Sequence, residues 1–461
     1  MLEFAVVGHP NKGKSSIVAT LAENDAVGIG ANPGTTREAD RYTFAIDGEE
    51  LYTLVDTPGF QRARAVLDWL TEHATDASNR ADVVRAFLDN HRDDPRFHDE
   101  CELLAPIVGG AGILYVVDGA KPYGAEFEIE MQILQWTGQP RMALINLIGE
   151  GRYLQQWQKA LDQYFSIVRV FDAQRADFAA RLNLLRAFAE LNEAWRSAIE
   201  RAVAALETER QHRLTQSARE IADALIDCLS YTEQSLVDAG EDAQTVERRL
   251  RGDLEHRVRG REHRARMSVQ SIYRHDHLRA DESTLRVLDM DLFTTEGWEL
   301  FGLSKTQLLV TGAVTGAVAG LGIDALAGGT TLLLGAGVGA LLGGITSWYG
   351  GDELAKTRVL GNALGGDTVH VGPITAANFP WVFLGRAWVH HHLVAERNHA
   401  VRDAVSAALT AQENLMDGVA DEVRNALAKT LREVRQHGRS LELEQRLLDD
   451  IAQLLALTPG V

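Results

Sequence analysis

Cysteine is nearly absent. The chain has two in 461 residues, Cys101 and Cys228, far apart in sequence. That excludes a disulfide framework and suits a reducing cytosol. Positive charge is also in deficit, with 46 Lys and Arg against 65 Asp and Glu, a net charge of −19. A general nucleic-acid-binding surface is therefore not expected, although a local basic patch could survive. No signal or transit peptide is expected, because Met1-Leu2-Glu3-Phe4 runs straight into an apolar stretch. No catalytic constellation appears beyond residue 190. The composition, 45% hydrophobic and 24% charged, fits a chain that mostly folds, and the length allows about two to four domains.

What is present starts at residue 8. Gly8-His9-Pro10-Asn11-Lys12-Gly13-Lys14-Ser15 spells G-x-x-x-x-G-K-[ST], the phosphate-binding loop of nucleoside-triphosphate enzymes. Phe4-Ala5-Val6-Val7 before it reads as a buried strand, and Ser15 to Leu21 after it as the start of a helix. Gly8 and Gly13 let backbone N–H groups close on phosphate oxygens, with Lys12 and Ser16 part of the same cradle. Lys14 reaches the terminal phosphates and Ser15 can hold Mg²⁺.

Next comes Asn32-Pro33-Gly34-Thr35-Thr36-Arg37. A Thr in such a loop can place its hydroxyl on Mg²⁺ while a γ-phosphate is present and release it afterwards, which makes a switch. Strands over Arg41 to Ile46 and Leu51 to Val55 flank the turn Asp47-Gly48, and the second ends in Asp56-Thr57-Pro58-Gly59. Asp56 can bind Mg²⁺ through water, and the Gly59 N–H can meet the γ-phosphate.

In order and spacing these motifs resemble the small GTPases of the TrmE–Era–Septin class over roughly residues 2 to 190. The resemblance implies an α/β P-loop NTPase fold, a G-domain, using GTP/GDP and Mg²⁺. It makes Thr36 the switch threonine, with Thr35 the alternative, and Asp56 and Gly59 the γ-phosphate sensors. In several relatives an Asn at the position of Asn11 holds a K⁺ ion at the transition state, so K⁺ stimulation is implied. The catalytic set is then Lys14, Thr36, Gly59 and Asn11. Phe60 stands where Ras-like enzymes carry a water-positioning Gln, and Gln61 is one place late, so turnover should be slow without an activator.

Two features depart from the class. Phe60 to Ala111 is a long excursion, read as one helix over Ala65 to Asn90 and another over Cys101 to Val108. It is either a partner-sensing arm or a lid or surface embellishment. The guanine-reading motif also fails: Asn146 ends its strand, but Leu147-Ile148-Gly149 follow instead of Lys-x-Asp, and Glu150 is out of register. Guanine preference therefore rests on resemblance alone. Asp172-Ala173 stand where relatives place Ser-Ala against the base.

Residues 191 to 300 read as helical. Leu214, Ala218, Ile221, Leu225 and Leu229 share one face of a helix over Glu190 to Ala239, and Val246, Leu250, Leu254 and Val258 share another. That second helix carries Arg248, Arg249, Arg251, Arg257, Arg259, Arg261, Arg264 and Arg266. These form either a solvated face or a contact for anionic headgroups.

Between Lys305 and Asp352 the only charge is Asp324. Gly312, Gly316 and Gly320, then Gly335, Gly339 and Gly343, recur every four residues, a spacing that lets two helices touch backbone to backbone. Such helices are poor in water, since each Gly costs roughly 1 kcal/mol relative to Ala. The legs, about 305–323 and about 330–349, approach the ~20 residues that span a bilayer core. Trp298, Phe301, Trp348 and Tyr349 sit at their outer ends like interfacial belts, with Lys305, Lys356 and Arg358 nearby. Residues 301–352 thus read as a membrane-embedded glycine-zipper hairpin, the alternatives being a buried hairpin in a soluble domain and a hairpin that inserts only on a trigger.

In the tail, 353–461, Thr368 to Pro373 reads as a short strand, and Val401 to Val434 and Leu441 to Leu455 as amphipathic helices. The whole layout more loosely resembles a bacterial GTPase family whose C-terminal half is a domain of unknown function with Gly-rich hydrophobic segments. The expectation is a G-domain at 1–190 with a helical insertion at 60–111, then an all-α region. The protein would be a GTP-hydrolysing switch at the inner membrane, on its cytoplasmic side, or else cytoplasmic. Its partners would be GTP, membrane lipid, and an unknown protein or a second copy. A dynamin-like membrane remodeller and a non-hydrolysing nucleotide-gated adaptor are the alternatives.

Overall fold

The computed structural model describes the chain except residues 1, 25–26, 28–37, 148–150, 239–240, 276–290, 304–306, 309–344, 352–357, 360–361, 364–366, 398–414 and 459–461. It divides into two compact units, Met1–Gln211 with Glu396–Arg402, and His212–Ala395 with Asp403–Val461.

The first unit is a six-stranded sheet in the order β2-β3-β1-β4-β5-β6. Its strands are β1 (Leu2–Val7), β2 (Asp40–Ile46), β3 (Glu49–Asp56), β4 (Gly112–Asp118), β5 (Arg141–Asn146) and β6 (Ile167–Phe171). Only the β2–β3 hairpin is antiparallel. The central strands read as unbroken apolar runs because both faces are covered. Phe4, Val6, Leu114, Val116, Met142 and Leu144 face α1 (Lys14–Ala22), α7 (Phe178–Leu191) and the start of α8 (Arg196–Ser230). Ala5, Val7, Ile113, Tyr115, Val117, Ala143 and Ile145 face the other way.

That other face is where the 60–111 excursion goes. It forms α2 (Ala63–His73), α3 (Arg80–His91) and α4 (His98–Val108), and packs with α5 (Ala125–Trp136) and α6 (Leu154–Leu161). Val66, Leu70, Val84, Phe87, Leu103, Leu104 and Ile107 are buried. The excursion is therefore part of the core rather than a surface embellishment. The single helix expected over Ala65 to Asn90 is two: the Asp76 side chain accepts from the Ser78 N–H, and a capping box with Asn79 restarts the chain. The unit also extends past residue 190, because Ile199, Ala202, Val203 and Leu206 of α8 complete the core on the first face.

The second unit is helical, as expected, but it also holds a three-stranded antiparallel sheet. β7 (Glu233–Leu236) and β8 (Ile345–Gly351) flank a central strand at Asp367–Ile374. Three expectations are corrected here. The helix over Glu190 to Ala239 stops at Ser230 and gives way to β7. The second apolar leg cannot run to 349, because Trp348 and Tyr349 lie in β8, paired with His370 and Val369. Trp298 and Phe301 are no interfacial belt: both are buried in the unit's core, with the Trp298 indole N–H donating to the Leu292 carbonyl at 2.6 Å. Residues 309–344, the rest of the apolar hairpin, lie outside the described residues. Among those described, no helix is long and apolar enough to cross a membrane.

The arginine-rich helix is α9 (Ala243–Ile272), with Val246, Leu250, Leu254 and Val258 buried. Its arginines are largely engaged within the unit. Arg249 pairs with Glu241, Arg251 with Glu247, Arg257 with Glu233, Arg259 with Glu255 and Asp291, and Arg261 with Asp227. Glu262 turns inward to meet buried Arg386 at 2.7 Å. Arg386 belongs to the buried helix Phe379–Ala395. Two of that helix's histidines take different partners: His391 Nε2 lies 2.9 Å from the Tyr273 hydroxyl, and His390 lies by Gln270. Burial and neighbouring positive charge hold His390 well below the usual histidine range.

If α3 is core, Phe87→Ala should destabilise the first unit by about 3–5 kcal/mol. Denaturant unfolding measures this. A loss under about 1 kcal/mol would mean that the insertion is peripheral.

Candidate functional site

The phosphate loop connects the C-terminal end of β1 to α1, where the strand order reverses between β1 and β4. Open α/β sheets bind ligands at such a switch point. Gly8, Asn11 and Gly13 have φ of +144°, +58° and +83°. Positive-φ residues of this kind are what backbone anion-binding nests are built from. Gly8 also has no room for a side chain, since a Cβ there would lie 2.4 Å from the Val116 carbonyl oxygen. Asn11 is exposed, and Asn is among the few non-Gly residues tolerated at such a φ. α1 starts at Lys14, so its unsatisfied N–H groups face the loop. The half-buried Ser16 gives its carbonyl to the Thr20 hydroxyl.

Lys14 is buried and its Nζ donates to the carbonyls of Gly8 (3.2 Å) and His9 (3.4 Å). Burial pushes its ammonium below the usual lysine range, while Asp56 and Glu130 pull it partly back. Lys12 is lowered too, first by burial and then by the Lys121 charge; its Nζ lies 5.4 Å over the Phe127 ring.

Ser15 and Asp56 lie side by side. The Ser15 hydroxyl donates to Asp56 Oδ2 at 2.6 Å, and Asp56 ends β3 in a buried position. Two hard oxygen donors side by side suit Mg²⁺. Beyond them, the Thr57 hydroxyl donates to the Val6 carbonyl at 2.9 Å. Gly59 lies against Pro10 of the phosphate loop, where a Cβ would come within 2.6 Å of the proline ring. Phe60 is buried among apolar neighbours, and the Gln61 backbone N–H donates to Glu100. Thr35 and Thr36 lie outside the described residues.

At the far end, Asn146 uses both sides of its amide. Nδ2 donates to the Lys12 carbonyl at 3.1 Å, and Oδ1 accepts from the Ala173 N–H at 3.2 Å. The Thr20 hydroxyl donates to the Ala173 carbonyl. Asp172 accepts from the Gln174 and Arg175 N–H groups, closing a turn on itself. Residues 148–150, including Glu150, lie outside the described residues.

Glu130 of α5 was missed by the sequence reading. It is buried, with Oε1 2.9 Å from His9 Nδ1 and Oε2 accepting from the Tyr115 hydroxyl at 2.8 Å. The signal was available: Glu130 sits on the apolar stripe of Phe127, Met131 and Leu134, where a carboxylate needs a reason.

Comparison with known proteins agrees with this geometry. Residues 158–455 match the model of a domain of unknown function, DUF3482. The chain belongs to the DUF3482 family. In this DUF3482 protein residues 3–108 also match the model of the 50S ribosome-binding GTPase. GTPase Der of Rhodopirellula baltica is 39% identical over 92 residues, which are 19% of this chain and 20% of that one. GTPase Der of Lactobacillus helveticus is 33% identical over 151 residues, 30% and 34% of the two chains. The chain thus spans about a fifth to a third of the length of these curated relatives. Among solved structures, Era of Aquifex aeolicus bound to GDP.AlF4- aligns at 14% identity and a TM-score of 0.30, covering 59% of this chain and 88% of that one. The DUF3482 region is therefore joined to an N-terminal region that matches the GTPase model and resembles GTPase Der.

Two outcomes follow from the geometry. Asn146→Ala leaves a carbonyl and an amide unpaired and should cost about 1–3 kcal/mol in unfolding experiments. Burial lowers the Lys14 pKa and bound phosphates should raise it again, so nucleotide binding at a pH between the lowered value and the usual lysine range should take up protons. Calorimetry in two buffers of different ionisation enthalpy reads that uptake, and identical heats would count against it.

Proposed function

We propose that this protein binds GTP with Mg²⁺ and hydrolyses it to GDP and phosphate as a switch, slowly without an activator. The observation that supports this most is the convergence of Lys14, Ser15, Asp56 and Gly59 on one phosphate-loop concavity. Loop N–H groups and Lys14 would hold the β- and γ-phosphates. Ser15, Asp56 and Thr36 would hold Mg²⁺, which neutralises charge on the phosphate oxygens. Attack by water on the γ-phosphorus would break its bond to the β–γ bridging oxygen, with developing charge met by Lys14 and the Gly59 N–H. Phe60 offers no polar atom to orient that water, which supports low intrinsic turnover. Asn11, at the open rim of the loop, is the candidate K⁺ ligand.

The membrane reading rests on residues 305–344 alone. Their Gly periodicity and near-absence of charge support a hairpin in the inner membrane, with both ends cytoplasmic. The paired arginines of α9 lend it no support.

The test is phosphate release from GTP and ATP, in K⁺ and in Na⁺, with and without liposomes, for wild type and Lys14→Ala. GTP-selective release, lowered about 10²-fold or more by the substitution, is expected. Equal use of ATP would mean that the missing Lys-x-Asp matters. Binding without release under every condition would favour a nucleotide-gated adaptor. Equal rates in K⁺ and Na⁺ would remove the role of Asn11. Extraction of the protein by carbonate would remove the membrane hairpin.

A further inference from the structure

Helix α4 carries two carboxylates that hold two chain segments, one just after Gly59 and one at the entry to β2. Glu100 is fully buried, and its Oε1 accepts from the backbone N–H groups of Gln61 (2.9 Å) and Arg62. Glu102 Oε2 accepts from the Ala39 N–H at 3.0 Å. Gln61 is two residues beyond Gly59, and Ala39 two beyond Arg37, the end of the Thr35-Thr36 loop. On the other side of Gly59, Thr57 is tied to β1 through the Val6 carbonyl. Only Pro58, Gly59 and Phe60 span the gap between these two ties.

Packing does not account for Glu100. It occupies the apolar stripe of Leu103, Leu104 and Ile107, where an aliphatic residue would fill the space without the cost of burying a carboxylate. What it gains is two amide donors at the start of α2, where the helix end also favours negative charge. Its Oε2 has no hydrogen-bond partner among the described residues.

We infer that Glu100, assisted by Glu102, is a positioning residue: α4 ties the Gly59 segment and the start of β2 to one rigid element. The insertion then shifts when the γ-phosphate site fills. Gly59 cannot approach a γ-phosphate without pulling on Gln61, and Gln61 cannot move without α4. The α2–α4 layer thereby becomes the part of the domain that reports nucleotide state to a partner. This inference rests on the GTPase reading above.

The test begins with the unaltered full-length protein. Hydrogen exchange in GDP and in a non-hydrolysable GTP analogue should differ at Gln61–Arg62 and across α4, together with Gly59. Unchanged exchange at α4 would overturn the inference. Glu100→Ala should lower kcat by about tenfold or more while GDP affinity and KM stay within about twofold. Glu100→Gln keeps a carbonyl acceptor and should return kcat to within about threefold of wild type. Glu102→Ala should change the ratio of GTP-analogue to GDP affinity. Unaltered kcat in Glu100→Ala, or equal losses of kcat, GDP affinity and melting temperature, would reduce Glu100 to a packing residue. If Glu100→Ala does not fold, the exchange pattern and the Gln variant decide. If wild type hydrolyses nothing, the GTPase reading fails, and the exchange difference and affinity ratio still judge the coupling.

Discussion

The N-terminal unit depends on one close approach, the backbone of Gly8 lying directly on the Val116 carbonyl at the end of β4. With no side chain between them, the loop leaves β1 at a left-handed φ and folds over the strand ends. Its neighbours are then fixed by short bonds of definite direction. Lys14 folds back on the loop's own carbonyls, Ser15 reaches Asp56 across the β1–β3 pair, and Asn146 reaches Lys12 from β5. Parallel strands make this possible, because all of their C-terminal ends open on one edge.

A second constraint is carried by carboxylates buried in apolar stripes. Glu100 in α4, Glu130 in α5 and Glu262 in α9 each sit where helical spacing calls for a hydrophobic side chain. Each has partners that offset desolvation: backbone amides for Glu100, His9 and Tyr115 for Glu130, Arg386 for Glu262. A buried charge is weak evidence of stability and better evidence that a particular arrangement is being specified. In the first unit, two of these charges lie beside the phosphate loop or the chain that follows Gly59. In the second, the charge fixes α9 against the helix Phe379–Ala395.

What could be read from sequence divides along the same line. The phosphate loop, Asp56-Thr57-Pro58-Gly59 and the strand ending at Asn146 are local patterns, and their spacing alone carries them. The packing of the 60–111 excursion was not local: Phe87 and Leu104 become core only because the sheet face between them and β4 needs covering. β7 and β8 escaped for a related reason. Glu233–Leu236 is short and polar, and Ile345–Gly351 continues an apolar run that looks helical until its partner strand Asp367–Ile374 is known. The arginines of α9 could not be settled from their own stretch, because Asp227, Glu233, Glu241, Glu247 and Asp291, which pair with them, all lie outside 248–266.

The loss of Lys-x-Asp after Asn146 is best understood through what Asn146 itself does. Both of its amide atoms are spent on backbone, one on the phosphate loop and one on the turn at Ala173. Its work is to hold two loops at a fixed distance, which any base bound between them would require. The residues that follow it would supply discrimination between bases, a separate function with separate energetics. A chain can therefore keep the Asn, lose the Lys-x-Asp, and retain an intact phosphate site. On the proposed function, phosphate binding and base choice fall to separate residues, and Asn146 serves the first by tying the loop at Lys12 to the turn at Ala173.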